Sequence, residues 1–140
     1  MQKEIKQTWQ FSQSPQEVWE YLTKPELIEQ WLMKNTFKPV KGHKFQFTFI
    51  AKPEAKYIGV VDCEVLEIIP FAKLSYTWNG STQDKSRNYN SVVVWTLTPN
   101  NNGTELQLNH DGFTVMEDIL THSNGWNGCL NKMEKLLIGQ

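Results

Sequence analysis

The chain lacks any long apolar run; its longest hydrophobic stretches are far too short to cross a bilayer as a helix. It has almost no net charge, −1 at pH 7 from 14 Lys and Arg against 15 Asp and Glu, so no basic field exists to hold nucleic acid or an anionic membrane. Cysteine is scarce: Cys63 and Cys129 are far apart, form no CxxC pair, and read as buried inert thiols. Three scattered histidines form no HxH or HxxxH pair, so no metal is expected, and no cofactor is called for. The GxSxG, P-loop and GxGxxG patterns are all missing. Repeats, low-complexity tracts and linkers are missing too, and residues 1–140 read as one domain. The start Met1-Gln2-Lys3-Glu4 is polar, without the apolar core of a signal peptide, from which a cytoplasmic location is expected.

What the chain does have is aromatic residues: six Trp, seven Phe and four Tyr. Large rings fill cores or line cavities, and composition does not separate the two. Their spacing is more informative. Residues 4–12 alternate as a strand. Ser14-Pro15-Gln16-Glu17 is a helix start with a cap, a proline at the first helical position and the acid of a capping box. Pro25 interrupts that helix and begins a second, with Leu27, Ile28 and Trp31 as its apolar stripe. Phe45, Phe47 and Phe49 alternate with polar residues, giving one aromatic strand face.

A long strand is expected over 57–69, with Tyr57, Gly59, Val61, Cys63 and Val65 on one side. Leu66–Ile69, apolar on both sides, suggests a bulge or deeper burial. Leu74, Tyr76 and Trp78 alternate in the next strand, Asn79-Gly80 reads as a turn, and Ser81–Asn90 as a mobile polar loop. Val93, Trp95 and Leu97, then a hairpin turn at residues 99–103, then Leu106, Leu108 and His110 complete the strands. From about Thr114 the period becomes helical: Ile119, His122, Trp126, Cys129, Met133 and Leu137 recur at three- and four-residue steps, with Gly139 as a stop. About six strands without crossover helices imply an antiparallel α+β sheet covered by one long C-terminal helix.

This order resembles the START-like (SRPBCC, Bet v 1-like) superfamily, and within it the activator of heat shock protein 90 ATPase homologue family. The matching pieces are Ser14-Pro15-Gln16-Glu17-Val18-Trp19, residues 25–31, Gly59, Pro70 through Trp78, residues 103–113, and Gly125-Trp126-Asn127-Gly128-Cys129-Leu130. The resemblance implies a helix-grip fold: a curved antiparallel sheet around the long C-terminal helix, two short helices after the first strand, and a cavity between sheet and helix. It does not name an activity, because relatives include carriers, cyclases, hydroxylase subunits and a co-chaperone domain.

The candidate pocket residues are Trp31, Phe47, Phe49, Val61, Tyr76, Trp78, Trp95, Leu108, His110, His122, Trp126 and Cys129. As a set they would line an apolar cavity; individually each ring can equally be core. His110 is the titratable residue of most interest, either a general base or ligand contact, or a satisfied histidine in the sheet. His122 faces the same choice near a pocket mouth, and His43 reads as solvated. Asp62 and Glu64 share a strand face that reads as solvated. Gly125 and Gly128 each cost about 1 kcal/mol relative to Ala in a helix, which calls for close helix–sheet packing, room for a ligand beside Trp126, or a kink. The segment Gly80–Asn90, with Asp84, Lys85 and Arg87, either flanks and gates an entrance or is plain solvated loop.

Three functions compete. A binding module for a small hydrophobic or amphipathic ligand needs an enclosed cavity with few polar groups. A cyclase, dehydratase or hydrolase needs a convergent polar set, for instance His110 with Tyr76 or Asp111. A chaperone-ATPase regulator follows from the family resemblance, although the additional N-terminal domain of the eukaryotic co-chaperone has no counterpart in these residues. A homodimer is the default assembly for a small protein.

Overall fold

The computed structural model describes residues 4–139; the polar start Met1-Gln2-Lys3 lies outside the described residues. The chain begins with strand β1 (Glu4–Phe11), which leads into helices α1 (Pro15–Thr23) and α2 (Pro25–Trp31). The capping box forms as its sequence dictates. The Ser14 hydroxyl accepts from the Glu17 backbone N–H, and the Glu17 carboxylate accepts from the Ser14 N–H. Proline opens both helices, where its missing N–H is not needed.

Six further strands follow: β2 (Lys34–Asn35), β3 (Lys44–Thr48), β4 (Val60–Ile69), β5 (Lys73–Ser81), β6 (Asn88–Asn100) and β7 (Gly103–Asp111). Helix α3 (Met116–Ile138) closes the chain. All seven strands form one antiparallel sheet in the order β1-β7-β6-β5-β4-β3-β2. The strand beyond the expected six is the two-residue β2. The sheet curves around α3, and α1 and α2 fill the remaining side, giving a helix-grip α+β fold. Long-range side-chain bonds fasten the grip: Gln7 Nε2 donates to the Ser123 carbonyl on α3, and Gln13 Nε2 to that of Leu137.

Period-two patterning decides which side of the sheet is covered. Leu74, Tyr76 and Trp78 on β5, Val93, Trp95 and Leu97 on β6, and Leu106, Leu108 and His110 on β7 are all buried. On β4, Val61, Cys63 and Val65 point inward, and a register shift between Val65 and Glu67 supplies the bulge. Deeper burial does not accompany it, since Leu66 and Ile69 are exposed. Asp62 and Glu64 face outward, and Gln46 donates to Asp62. Helix α3 turns Ile119, Trp126, Leu130, Met133 and Leu137 into the core.

Three expectations are corrected. Asn79-Gly80 is not a turn; both residues lie in β5, where Gly80 pairs with Tyr89 across the sheet. A side chain at Gly80 would collide with the Tyr89 ring, so the glycine makes room for a cross-strand tyrosine. The expected loop Ser81–Asn90 therefore contracts: β5 runs to Ser81 and β6 begins at Asn88. The long strand begins at Val60, and Tyr57 reaches the sheet through an isolated bridge to Thr82.

Candidate functional site

The aromatic residues divide into a packed group and a group around a hollow. In the packed group Trp31, Phe47, Tyr76, Trp95 and Leu108 are buried. Trp31 and Trp95 meet edge to face with ring centres 5.9 Å apart, and Phe45, Phe47 and Tyr76 pack against one another in edge-to-face and tilted pairs at 5.4–6.0 Å. The polar atoms here are paired. Trp95 Nε1–H donates to the Tyr76 hydroxyl at 2.9 Å, and Trp31 Nε1–H to the Tyr21 carbonyl at 2.8 Å. Burial pushes the Tyr76 hydroxyl well above its ordinary pKa, so it stays protonated and cannot act as a base.

The second group surrounds a cavity of about 150 Å³ between the sheet and α3. The sheet side supplies Phe49 just past β3, Tyr57 before β4, Val61, Trp78 on β5 and Tyr89 on β6. Leu32 and Met33, after α2, form another wall. Helix α3 contributes Thr121, His122, Gly125, Trp126 and Cys129, a helical stripe. Phe49 departs from the buried alternation of Phe45 and Phe47. Strand β3 ends at Thr48, and Phe49 lies 40% exposed at the rim. Thus Phe49, Val61, Trp78, His122, Trp126 and Cys129 are brought together around the hollow. Trp31, Phe47, Tyr76, Trp95, Leu108 and His110 belong to the packed layer instead.

His110 is held by a closed hydrogen-bond chain. Trp126 Nε1–H, which can only donate, points to His110 Nδ1 at 2.9 Å. The ring proton is therefore on Nε2, which donates to Ser91 Oγ at 2.8 Å, and the Ser91 hydroxyl donates to the Trp78 carbonyl at 2.6 Å. Burial and the neighbouring His122 depress the His110 pKa well below its usual value. Ser91 and His110 thus have the spacing of a nucleophile–base pair with the wrong proton order: the imidazole lone pair is occupied, and the hydroxyl proton already has an acceptor. The chain ties β5, β6 and β7 to α3, and the general-base reading of His110 is not supported.

His122 differs. Its Nδ1–H donates to the Asp118 carbonyl one turn back, at 2.9 Å. Burial lowers its pKa, against the opposing pull of that bond and of the Asp118 carboxylate. The neutral ring then keeps Nε2 as an acceptor. Its ring centre lies 4.5 Å from Phe113, 5.2 Å from Tyr57 and 5.3 Å from Tyr89. Trp78, buried at 4% exposure, has an indole N–H with no hydrogen-bond partner among the described residues. The Tyr89 hydroxyl feels that N–H without reaching hydrogen-bond geometry, and burial pushes its own pKa up to about 12.

A polar clamp sits beside the cavity. Asp118, buried in the first turn of α3, accepts Arg87 Nη2 at 2.8 Å on Oδ1 and Arg87 Nε at 3.0 Å on Oδ2, and accepts the Tyr57 hydroxyl at 2.5 Å. Burial alone would raise the Asp118 pKa, but these donors outweigh it and hold the carboxyl below the usual range. Lys56 pairs with Glu117 next to it. The segment holding Arg87 is therefore locked onto α3 and onto Tyr57 in the cavity wall. Asp84 accepts from Thr82 and Ser86 and orders the loop internally.

Cys63 and Cys129 are free thiols, and burial raises the pKa of both. His43 is half-buried, with Nε2 against the Thr36 carbonyl. Among the described residues no group of three His, Cys, Asp or Glu side chains is placed to hold a metal, and no helix is long and apolar enough to cross a membrane.

This architecture can be compared with known proteins. Residues 12–138 match the family described as activator of Hsp90 ATPase homolog 1-like protein. The chain belongs to that family. Protein MLL2253 from Mesorhizobium loti, known from a crystal structure, is similar over 98% of both chains, at 40% identity and a TM-score of 0.86. CV1439 from Chromobacterium violaceum shares the fold at 19% identity over 98% of both chains, TM-score 0.78. DynU16, from the dynemicin biosynthetic locus, matches 98% of this chain at 20% identity and a TM-score of 0.78. This chain spans only 48% of DynU16. No curated protein matches the chain.

For this family member, sequence reasoning missed Leu32, Met33, Tyr57, Tyr89, Thr121 and Asp118 as parts of the site. Tyr89 was findable, because Tyr89, Ser91, Val93, Trp95 and Leu97 continue one period-two series. Asp118 carried a weaker signal, an acid in the first turn of a helix.

Proposed function

We propose that the protein binds a small hydrophobic or amphipathic molecule between the sheet and α3. One observation carries this reading: a cavity of about 150 Å³ whose walls are mostly rings and sulfur-bearing side chains, bordered by a helical glycine, Gly125. Mostly apolar walls with a few convergent polar groups are the usual form of a small-molecule site. A base role for His110 has no support in this reading, since its lone pair is already occupied by Trp126. Two unpaired thiols fit a reducing, cytoplasmic setting.

The test is thermal unfolding of the purified protein against a panel of fatty acids, single-ring aromatics and polycyclic aromatics. A ligand present at one hundred times its Kd should add about 2.7 kcal/mol to the unfolding free energy. If no panel member moves the transition, ligand binding is rejected. Regulation of a chaperone ATPase, which the family description names, is examined by adding the protein to the host chaperone and following ATP hydrolysis. Stimulation there without a response to the panel would replace the small-molecule reading.

A further inference from the structure

We propose that the cavity selects a compact aromatic alcohol, one ring with a short substituent, whose hydroxyl accepts from Trp78 Nε1–H and donates to His122 Nε2. The proposal rests on the ligand-binding reading above and gives it a chemical class.

Size comes first. A protein cavity of about 150 Å³ lined by apolar side chains takes up benzene, and the volume here is the same. A single ring fills such a space, whereas a sixteen-carbon chain is too large for it. Wall chemistry agrees, because Trp78, Trp126, Tyr89, Tyr57 and Phe49 offer edges and faces to a planar guest.

The polar groups refine the class. Buried indole N–H groups normally find an acceptor. Trp31, Trp95 and Trp126 all do so here, while Trp78 does not. The exception is the buried tryptophan of this set that forms the cavity wall from the sheet. Its nitrogen is screened from solvent, and the nearby Tyr89 hydroxyl falls short of hydrogen-bond geometry, so a guest hydroxyl in the cavity completes the pairing after a small turn of the Tyr89 ring. On the opposite wall His122 presents the complementary group. Its Nδ1–H is committed to the Asp118 carbonyl, which leaves Nε2 as an acceptor. The Trp78 and His122 ring centres are 6.3 Å apart. A hydroxyl accepts and donates at once, and so satisfies a donor and an acceptor that face one small space. An ether or ketone satisfies only Trp78, and a hydrocarbon satisfies neither.

The experiment compares 4-ethylphenol, 4-ethylanisole, ethylbenzene and palmitate by calorimetry and by ¹H–¹⁵N spectra of the indole N–H groups. The expected order is phenol tightest, anisole weaker, and ethylbenzene at least tenfold weaker than the phenol. Palmitate should neither bind nor compete. The Trp78 indole signal, assigned by its loss in Trp78→Phe, should move downfield with the phenol and not with ethylbenzene. His122→Phe keeps a ring at the rim and should bring the phenol down to the affinity of the anisole. Equal affinities for phenol and ethylbenzene, or an unmoved Trp78 signal, overturn the polar pairing. Binding of palmitate but of no single-ring compound overturns the size class while leaving ligand binding intact. If none of the four binds but a polycyclic compound from the wider panel does, the proposed class also falls and ligand binding stands. No response to any compound in either panel removes both.

Discussion

The two aromatic groups under the sheet come from the same strands and differ in how completely they are satisfied. Around Trp95 and Tyr76 the rings interlock and each indole N–H has an acceptor. Around Trp78 and His122 the rings also touch, but a cavity opens beside them, one indole N–H is unpaired and Phe49 lies 40% exposed at the rim. Trp78 follows Tyr76 by two residues on β5, so a single strand serves both regions. What faces each region differs: Trp31 from α2 packs on Trp95 of the neighbouring β6, whereas Gly125 of α3 borders the cavity. One region supplies stability and the other supplies space.

That division is broken most directly by truncating one residue in each region. Trp95→Ala should cost about 3–5 kcal/mol in urea unfolding, because it removes a fully buried ring and leaves the Tyr76 hydroxyl without its donor. Phe49→Ala should cost about 1 kcal/mol or less, since much of that ring already faces solvent. Comparable losses for both variants would show that the rim is as much a part of the core as the interior, and the distinction would fail.

A smaller effect separates the buried histidines by pH. His110 and His122 both have folded pKa values below the ordinary 6.5, mainly through burial. His110 faces Ser91, Trp126 and His122; His122 faces Asp118, itself paired with Arg87, along with Tyr57, Tyr89 and His110. Above pH 6.5 both rings are neutral in folded and unfolded chains, and these groups contribute no slope. Below it the unfolded chain takes up protons that the fold refuses, so stability falls with acidification by up to about 1.4 kcal/mol per pH unit for each ring. Below about pH 4 a further loss begins, because the Asp118 carboxyl takes up a proton in the unfolded chain while its depressed pKa keeps it ionised in the fold. Denaturation midpoints measured from pH 8 to pH 4.5 should be flat and then fall. His122→Phe should reduce the steepness by about half if the two rings act alike. A flat profile through pH 5 would contradict neutral burial.

Much of this architecture could be read before any coordinates. Ser14 and Glu17 announce a helix start by chemistry that acts within four residues. The alternation of Val93, Trp95 and Leu97 follows from the pleat of a strand. Such signals are local, and the structure bears them out. Parity along a strand tells which face a ring takes, but not what stands opposite. Phe47 and Trp78 therefore looked equivalent, although their rings touch each other and only Trp78 also lines the hollow. Gly80 shows the same limit. Next to Asn79 it has the form of a turn, and only its partner Tyr89, nine residues on, makes it a strand residue. The Asp118 clamp was illegible for a related reason: Tyr57, Arg87 and Asp118 converge from three segments that no short-range spacing connects.

The smallest effect bears on the hollow itself. Gly125 and Gly128 lie inside α3, and a Cβ at either would meet nothing within 4 Å, so close packing does not explain them. The helix runs unbroken through both, so neither marks a break in it. Alanine at either site should stabilise the protein by about 0.5–1 kcal/mol, a few degrees in Tm, through helix propensity. The two glycines differ in one respect: Gly125 borders the cavity and Gly128 does not. Nothing in the structure explains Gly128. If Gly125 is present to leave room for a guest, Gly125→Ala should be more stable than the parent and bind 4-ethylphenol several-fold more weakly, whereas Gly128→Ala should gain the same stability with binding unchanged. Equal affinities in the two variants would mean that the missing side chain at Gly125 does not shape the hollow, and that the opening next to Trp78 owes its form to the sheet alone.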